Sequence, residues 1–274
     1  MAERIAPALA AVLWRLSQKK RRVTLINLQA VYPHMDVEQR YKIARASMVH
    51  YIRGVLEAGM LWHWPLQEIL QCFDEPQGLE HLQAAMDVGN GVILAAPHWG
   101  SWELVSQYIR QVLHCTVLYK PGRDPVVEAL LLEKRRRAGT AVVPANAAGL
   151  RVLYKTIKAG GAIGILPDQE PTKGEGKFAP FYGIETLTGV LVPRIAQRTG
   201  ARVVFVVCAR GGGGRYRLHF LPADDAISSA DSRVALTALN EGIERTIELD
   251  SPQYLWAYKR FRNRPEGEPP FYTQ

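Results

Sequence analysis

The stretch Gly91–Leu104, GVILAAPHWGSWEL, places His98 and Glu103 with four residues between them. A neutral imidazole can take a proton from a hydroxyl. A carboxylate accepting its other ring N–H fixes the tautomer and stabilises the imidazolium as it forms. The pair suits general-base chemistry, with His98 as the base and Glu103 orienting it.

Spacing alone is weak evidence, because His63 with Glu68 and His219 with Asp224 repeat it. Residues five apart on one helix diverge by about 140°, at roughly 100° per residue, so contact requires an intervening turn. No buried strand delivers His63 to a sheet edge, and His219 falls inside an alternating, strand-like run. His98 alone follows an apolar strand, precedes a turn containing Gly100, and has its carboxylate in the next helix. Open α/β sheets build their sites at the carboxyl ends of strands. No GxSxG elbow is present to supply a serine nucleophile, and Ser101 reads as a helix cap.

Two further groups follow strand-like runs. Lys120 and Arg123 come after Cys115–Tyr119 and suit phosphate contacts. Asp168 and Gln169 come after Ala162–Leu166. Asp168 can hold a cation, position a loop or cap a turn, and Gln169 can donate to an oxyanion. Phe178, Phe181 and Tyr182 are either an acyl-pocket lining or plain packing.

The elements that must position these residues alternate. Helices are expected over Val37–Trp64, Leu79–Val88, Ser101–Leu113, Pro125–Ala138, Leu150–Ala159, Leu187–Thr199 and Ser229–Leu249. Asp36 with Gln39 forms a capping box for the first of them. Short apolar strands lie between, at Val92–Ala96, Cys115–Tyr119, Ala141–Val143, Ala162–Leu166 and Val203–Val207. Apolar strands separated by helices give an α/β fold with a central, mostly parallel mixed sheet flanked by helices. Gly211–Gly214 turns the last strand, Tyr216–Phe220, antiparallel.

An N-terminal helical segment precedes this, and residues 1–22 are read as membrane-interacting. Leu9, Val12, Leu13 and Leu16 share a helical face, followed by Lys19, Lys20, Arg21 and Arg22, a pattern suited to an anionic bilayer surface. Residues 23–274 form one domain. No apolar run reaches the roughly 20 residues of a membrane-spanning helix.

With 47% hydrophobic residues in 274, the chain has enough apolar material for a substantial core. Its net charge of +8 favours anionic partners. No nucleic-acid-binding signature accompanies the charge, so nucleic acid is not expected as a partner. Three cysteines, none in a CxxC, suggest neither a disulfide framework nor a zinc site. The basic C-terminal residues Lys259, Arg260, Arg262 and Arg264 are candidates for an acidic carrier or anionic lipid.

Several ordered blocks carry a family resemblance. They are APHWGSWEL at 96–104, LYKPGRDP at 118–125, LPDQEP at 166–171, FAPFYGIETLTGVLVPRIAQRTGARVV at 178–204 and PQYLWAYKRFRNRP at 252–265. The chain resembles the late acyltransferases of lipid A biosynthesis, within the wider HX4D/E glycerolipid acyltransferase group. Lysine stands at 120 where members often carry arginine, which keeps the charge but loses the bidentate fork.

The resemblance implies an O-acyltransferase with His98 and Glu103 as catalytic residues and Lys120, Arg123, Asp168 and Gln169 binding substrate. The donor would be an acyl-acyl carrier protein. The acceptor would be an anionic glycolipid, the Kdo-bearing lipid IVA, met at the cytoplasmic face of the bacterial inner membrane. No metal or other cofactor is implied. Rival readings are the same chemistry on a lysophospholipid, aminolipid or mannosylated phosphatidylinositol, and a non-catalytic lipid- or carrier-binding protein.

Overall fold

Val92–Ala95, buried at every position, forms strand β1 at the centre of a six-stranded sheet. The computed structural model describes residues 2–119, 133, 141–172 and 174–273; of residues 2 and 58–63 the backbone alone is described. The other strands are β2 (Cys115–Tyr119), β3 (Ala141–Pro144), β4 (Ala162–Ile165), β7 (Arg202–Arg210) and β8 (Tyr216–Pro222). Their order is β3-β2-β4-β1-β7-β8. All adjacent pairs are parallel except β7 with β8. The expected mixed sheet and its antiparallel last pair are therefore present.

Alternation along the central strands feeds two apolar layers. Ile93, Ala95, Val203, Phe205 and Val207 enter one cluster, and Val92, Leu94, Val204, Val206 and Cys208 the other. Burial on both faces explains why these strands read as continuous apolar runs. On the first face lie α3 (Val37–His63), α7 (Ala147–Lys158), α8 (Leu191–Thr199) and α9 (Ser232–Ile247). α4 (Leu66–Gln71), α5 (Leu79–Asp87) and α6 (Trp102–Val112) cover the second. The close approach of α9 to the sheet needs Gly242, where a Cβ would lie 2.1 Å from the Phe205 ring.

Helix α3 begins as expected. Gln39 N–H donates to Asp36 Oδ1 at 2.7 Å, and Gln39 Oε1 accepts from Asp36 N–H at 3.2 Å. Ahead of it, α1 (Ala2–Leu16) and α2 (Gln18–Val31) meet at Ser17. α1 buries Ala6, Ala10 and Trp14 and packs on α3, while Ile5, Leu9, Val12 and Leu16 remain exposed. No described helix is long and apolar enough to cross a membrane.

One expectation needs correction. Residues 187–189 are not the start of a helix but the end of strand β6 (Ile184–Gly189), which pairs with β5 (Gly176–Phe181) as a separate hairpin. Its two turn residues, Tyr182 (φ 49°) and Gly183 (φ 74°), both have positive φ, as twisted two-residue hairpin turns require. Tyr182 is held there by Glu244 Oε1, which accepts its N–H at 2.6 Å, and by its hydroxyl's bond to Glu248. Helix α8 starts only at Leu191. The expected helix Pro125–Ala138 lies essentially outside the described residues.

Candidate active site

Strand β1 ends and the chain turns through Pro97, His98, Trp99 and Gly100 before α6. Gly100 has φ 57°, and a Cβ there would lie 2.0 Å from Cys208 O, so the turn requires glycine. The loop is stitched on both sides. Ser101 N–H donates to Cys208 O at 2.8 Å, Gly100 N–H to Gln253 O at 3.0 Å, and Leu255 N–H to His98 O at 3.1 Å.

Strand β4 runs parallel to β1, with Ala95 opposite Ile165. The loop after β4 therefore reaches the same carboxyl edge. There Asp168 Oδ2 accepts the His98 backbone N–H at 2.9 Å, and Oδ1 lies 2.8 Å from His98 Nδ1. The other ring nitrogen, Nε2, faces the Gln169 amide nitrogen at 3.2 Å. Only one tautomer fits both contacts: Nδ1–H donates to Asp168 and the Nε2 lone pair accepts from Gln169. The Asp168 side chain is 2% exposed and that of His98 17%, so the carboxylate is sealed while the ring keeps an opening.

Burial raises the Asp168 pKa. The His98 charge, the two His98 hydrogen bonds and the Arg260 charge together outweigh it and hold the carboxyl below its usual value. Tyr254 is pushed well above the phenolic range, first by burial and then by the charge of Asp168. It stays protonated beside the carboxylate.

Glu103 stands in the first turn of α6, where a carboxylate complements the helix dipole. Trp102, one residue before it, brings its ring to 5.4 Å from the His98 ring. The structure thus brings His98, Asp168 and Gln169 together, and the carboxylate on Nδ1 comes from β4's loop. Lys120 and Arg123 lie outside the described residues, as does the side chain of His63. Phe181 is fully buried against Phe261 and Tyr182, and belongs to the core.

Ser101 occupies the N-cap position of α6 but makes no capping bond. Its hydroxyl donates to Glu57 of α3 instead. Glu57 also accepts from Arg210 Nε at 2.9 Å and from the Tyr216 hydroxyl at 3.0 Å, with Arg53 Nε at 3.7 Å. This buried network ties α3 and the end of β7 to the His98 loop. Arg53 and Glu57 are one helical turn apart, but nothing in the sequence signalled that Ser101, Arg210 and Tyr216, which lie 44, 153 and 159 residues from Glu57, would join them.

The C-terminal segment closes the site's far side. Glu170 accepts from Asn263 N–H at 2.8 Å, Asn263 Nδ2 at 2.7 Å and Arg262 Nε at 3.1 Å. Arg260 is buried and donates to Leu187 O at 2.8 Å and Thr188 Oγ1 at 3.0 Å. Arg264 donates to Glu185 O at 2.7 Å. These three arginines, read from sequence as a binding tail, make internal contacts.

A cavity of about 320 Å³ lined by His81, Arg202 and Asp225 opens at the amino end of β7 and the carboxyl end of β8. That is the edge opposite His98, away from where parallel sheets place their sites.

Sheet and site define an α/β protein with a carboxylate-held histidine at the carboxyl edge. Comparison with known proteins places it more narrowly. The family model "Bacterial lipid A biosynthesis acyltransferase" matches residues 1–263. The chain is 26% identical over 273 residues to a lipid A biosynthesis lauroyltransferase of Escherichia coli strain K12, covering 98% of this chain and 88% of that protein. It is 29% identical over 259 residues to a lipid A biosynthesis palmitoleoyltransferase of the same organism, covering 92% and 83%. A phosphatidylinositol mannoside acyltransferase of Mycolicibacterium smegmatis is 27% identical over 187 residues, covering 66% and 60%. The chain belongs to the bacterial lipid A biosynthesis acyltransferase family, and it is an acyltransferase.

Proposed function

We propose that the enzyme transfers a fatty acyl chain from an acyl-acyl carrier protein to a hydroxyl of the Kdo-bearing lipid IVA, working at the cytoplasmic face of the inner membrane. The observation that carries the chemistry is the orientation of His98. With Nδ1–H donated to Asp168, the ring's remaining lone pair sits on Nε2.

The acceptor hydroxyl displaces the Gln169 amide from Nε2 and gives up its proton there. The acceptor oxygen attacks the thioester carbonyl and a C–O bond forms. The freed Gln169 amide can donate to the resulting oxyanion. Collapse breaks the C–S bond, and the imidazolium returns its proton to the departing thiolate. Asp168 stabilises the imidazolium throughout, and Glu103, the second catalytic residue that the family motif implies, stands in the first turn of the helix that follows the His98 loop. Lys120 and Arg123, directly after β2, would meet acceptor phosphates. No metal is called on in these steps, and His98 acts as base without a serine intermediary.

The similarity to a phosphatidylinositol mannoside acyltransferase favours a second reading, in which the same base serves another lipid acceptor. Labelled lauroyl-carrier protein and Kdo-lipid IVA, followed by mass spectrometry, decide between them. A one-chain mass gain, reduced about 10²–10⁴-fold in His98→Ala, supports the proposal. No gain across several donor lengths, with gain on another lipid, selects the second. Release of free fatty acid alone would instead mark a hydrolase.

A further inference from the structure

The structure brings the basic start of α2 against the C-terminal segment. A cavity of about 360 Å³ lies between them, lined by Gln18, Lys19, Arg22, Val23, Ile26, Lys259 and Tyr272. That is roughly ten times a water molecule's share of liquid volume, ~30 Å³. Among its described lining residues three are cations and none is a carboxylate.

Tyr272 forms a rigid wall. Its hydroxyl donates to Asn27 Oδ1 at 2.6 Å and accepts the Phe261 N–H at 3.1 Å. Against this wall Lys259 Nζ sits 5.0 Å from the ring centroid, and Arg22 Nη2 donates to Tyr272 O at 3.4 Å. The cations are thus positioned around an apolar floor of Val23 and Ile26.

The neighbouring helix supplies the second observation. Ile5, Leu9, Val12 and Leu16 repeat at intervals of four, three and four, and all are exposed, Leu16 by 78%. Leu16 is two residues from Gln18, within about 7 Å along the chain. An unpaired apolar stripe therefore ends at a cationic cavity.

We propose that this cavity binds the phosphate of an anionic phospholipid headgroup while the α1 stripe enters the acyl layer, seating the enzyme on a negatively charged bilayer. The proposal rests on the membrane-surface reading above and adds a discrete headgroup site distinct from the acyl-transfer centre. An acidic protein is the poorer match, because the apolar stripe continuous with the cavity would have no role in holding it.

Vesicle flotation of the full chain tests this. Wild type should float with phosphatidylcholine vesicles containing phosphatidylglycerol and far less with phosphatidylcholine alone. Lys19→Ala, Arg22→Ala and Lys259→Ala should each weaken binding about fivefold, and the triple variant about 100-fold, from about 1 kcal/mol per cation. Leu9→Glu with Leu16→Glu should abolish flotation while leaving the unfolding temperature in place. Flotation of the triple variant equal to wild type overturns the proposal. So does a triple variant that floats normally but loses affinity for acyl carrier protein. Transfer by wild type to acceptor dispersed in detergent micelles reads the proposed reaction separately, because no bilayer has to be found there.

Discussion

Asp168 grips His98 twice, taking the backbone N–H on Oδ2 at 2.9 Å and the ring on Oδ1 at 2.8 Å. One carboxylate thereby fixes both the position of the loop and the tautomer of the ring. Asp168→Asn keeps the shape but can present its amide N–H to Nδ1, which favours the wrong tautomer. We expect kcat to fall by about 10⁴, as for a triad aspartate, with little change in KM. Steady-state kinetics on the folded variant checks this.

The same carboxyl makes stability depend on acid. Its folded pKa lies below the ordinary 3.8, so its contribution is present above that value and is lost as pH falls through the folded pKa. Denaturant titrations at descending pH should show Asp168→Asn losing less stability than wild type across that window.

His50 behaves in the same direction for a different reason. Burial first, then the charges of Arg210 and Arg53, push it down to about 3. The unfolded chain binds this proton from about pH 6.5 and the folded chain does not, so stability falls as pH drops from about 6.5 to 3. His50→Gln should flatten that part of the profile without moving the pH 8 value, about a unit and a half above it.

Gln169 is expected to act on kcat. Gln169→Ala should lower it about 10²–10³-fold, the cost of one oxyanion donor, and leave KM within a few-fold. A change confined to KM would show the amide to be a binding contact only.

Glu57 should matter to folding. Glu57→Gln leaves Arg53 and Arg210 buried without their counter-charge, and we expect a loss of about 3–5 kcal/mol by denaturant unfolding. Gly100→Ala should cost about 2 kcal/mol or more, because its φ of 57° and the Cys208 carbonyl at 2.0 Å both exclude a side chain.

The sequence by itself determined the local part of this protein. Apolar runs bounded by glycine marked the central strands, and the Asp36–Gln39 spacing marked the start of α3. The Pro97-His98 step after a buried run placed a histidine at a sheet edge, and Asp168 and Gln169 were visible as residues following another buried strand. Alternating residues over Phe178–Thr188 around a Tyr-Gly turn held the signal for the β5–β6 hairpin, but a helical period over Leu187–Thr199 masked it. Tertiary structure decided which residues meet. Strand order is not written locally: β1 and β4 become neighbours only when the sheet assembles, with Ile93 beside Ile163 and Ala95 beside Ile165. That pairing brings Asp168 across 70 residues to the ring of His98. The Glu57 network and the Lys19–Arg22–Lys259 cavity arise in the same way. Charges distant in sequence converge because burying the two apolar faces of the sheet leaves their elements side by side.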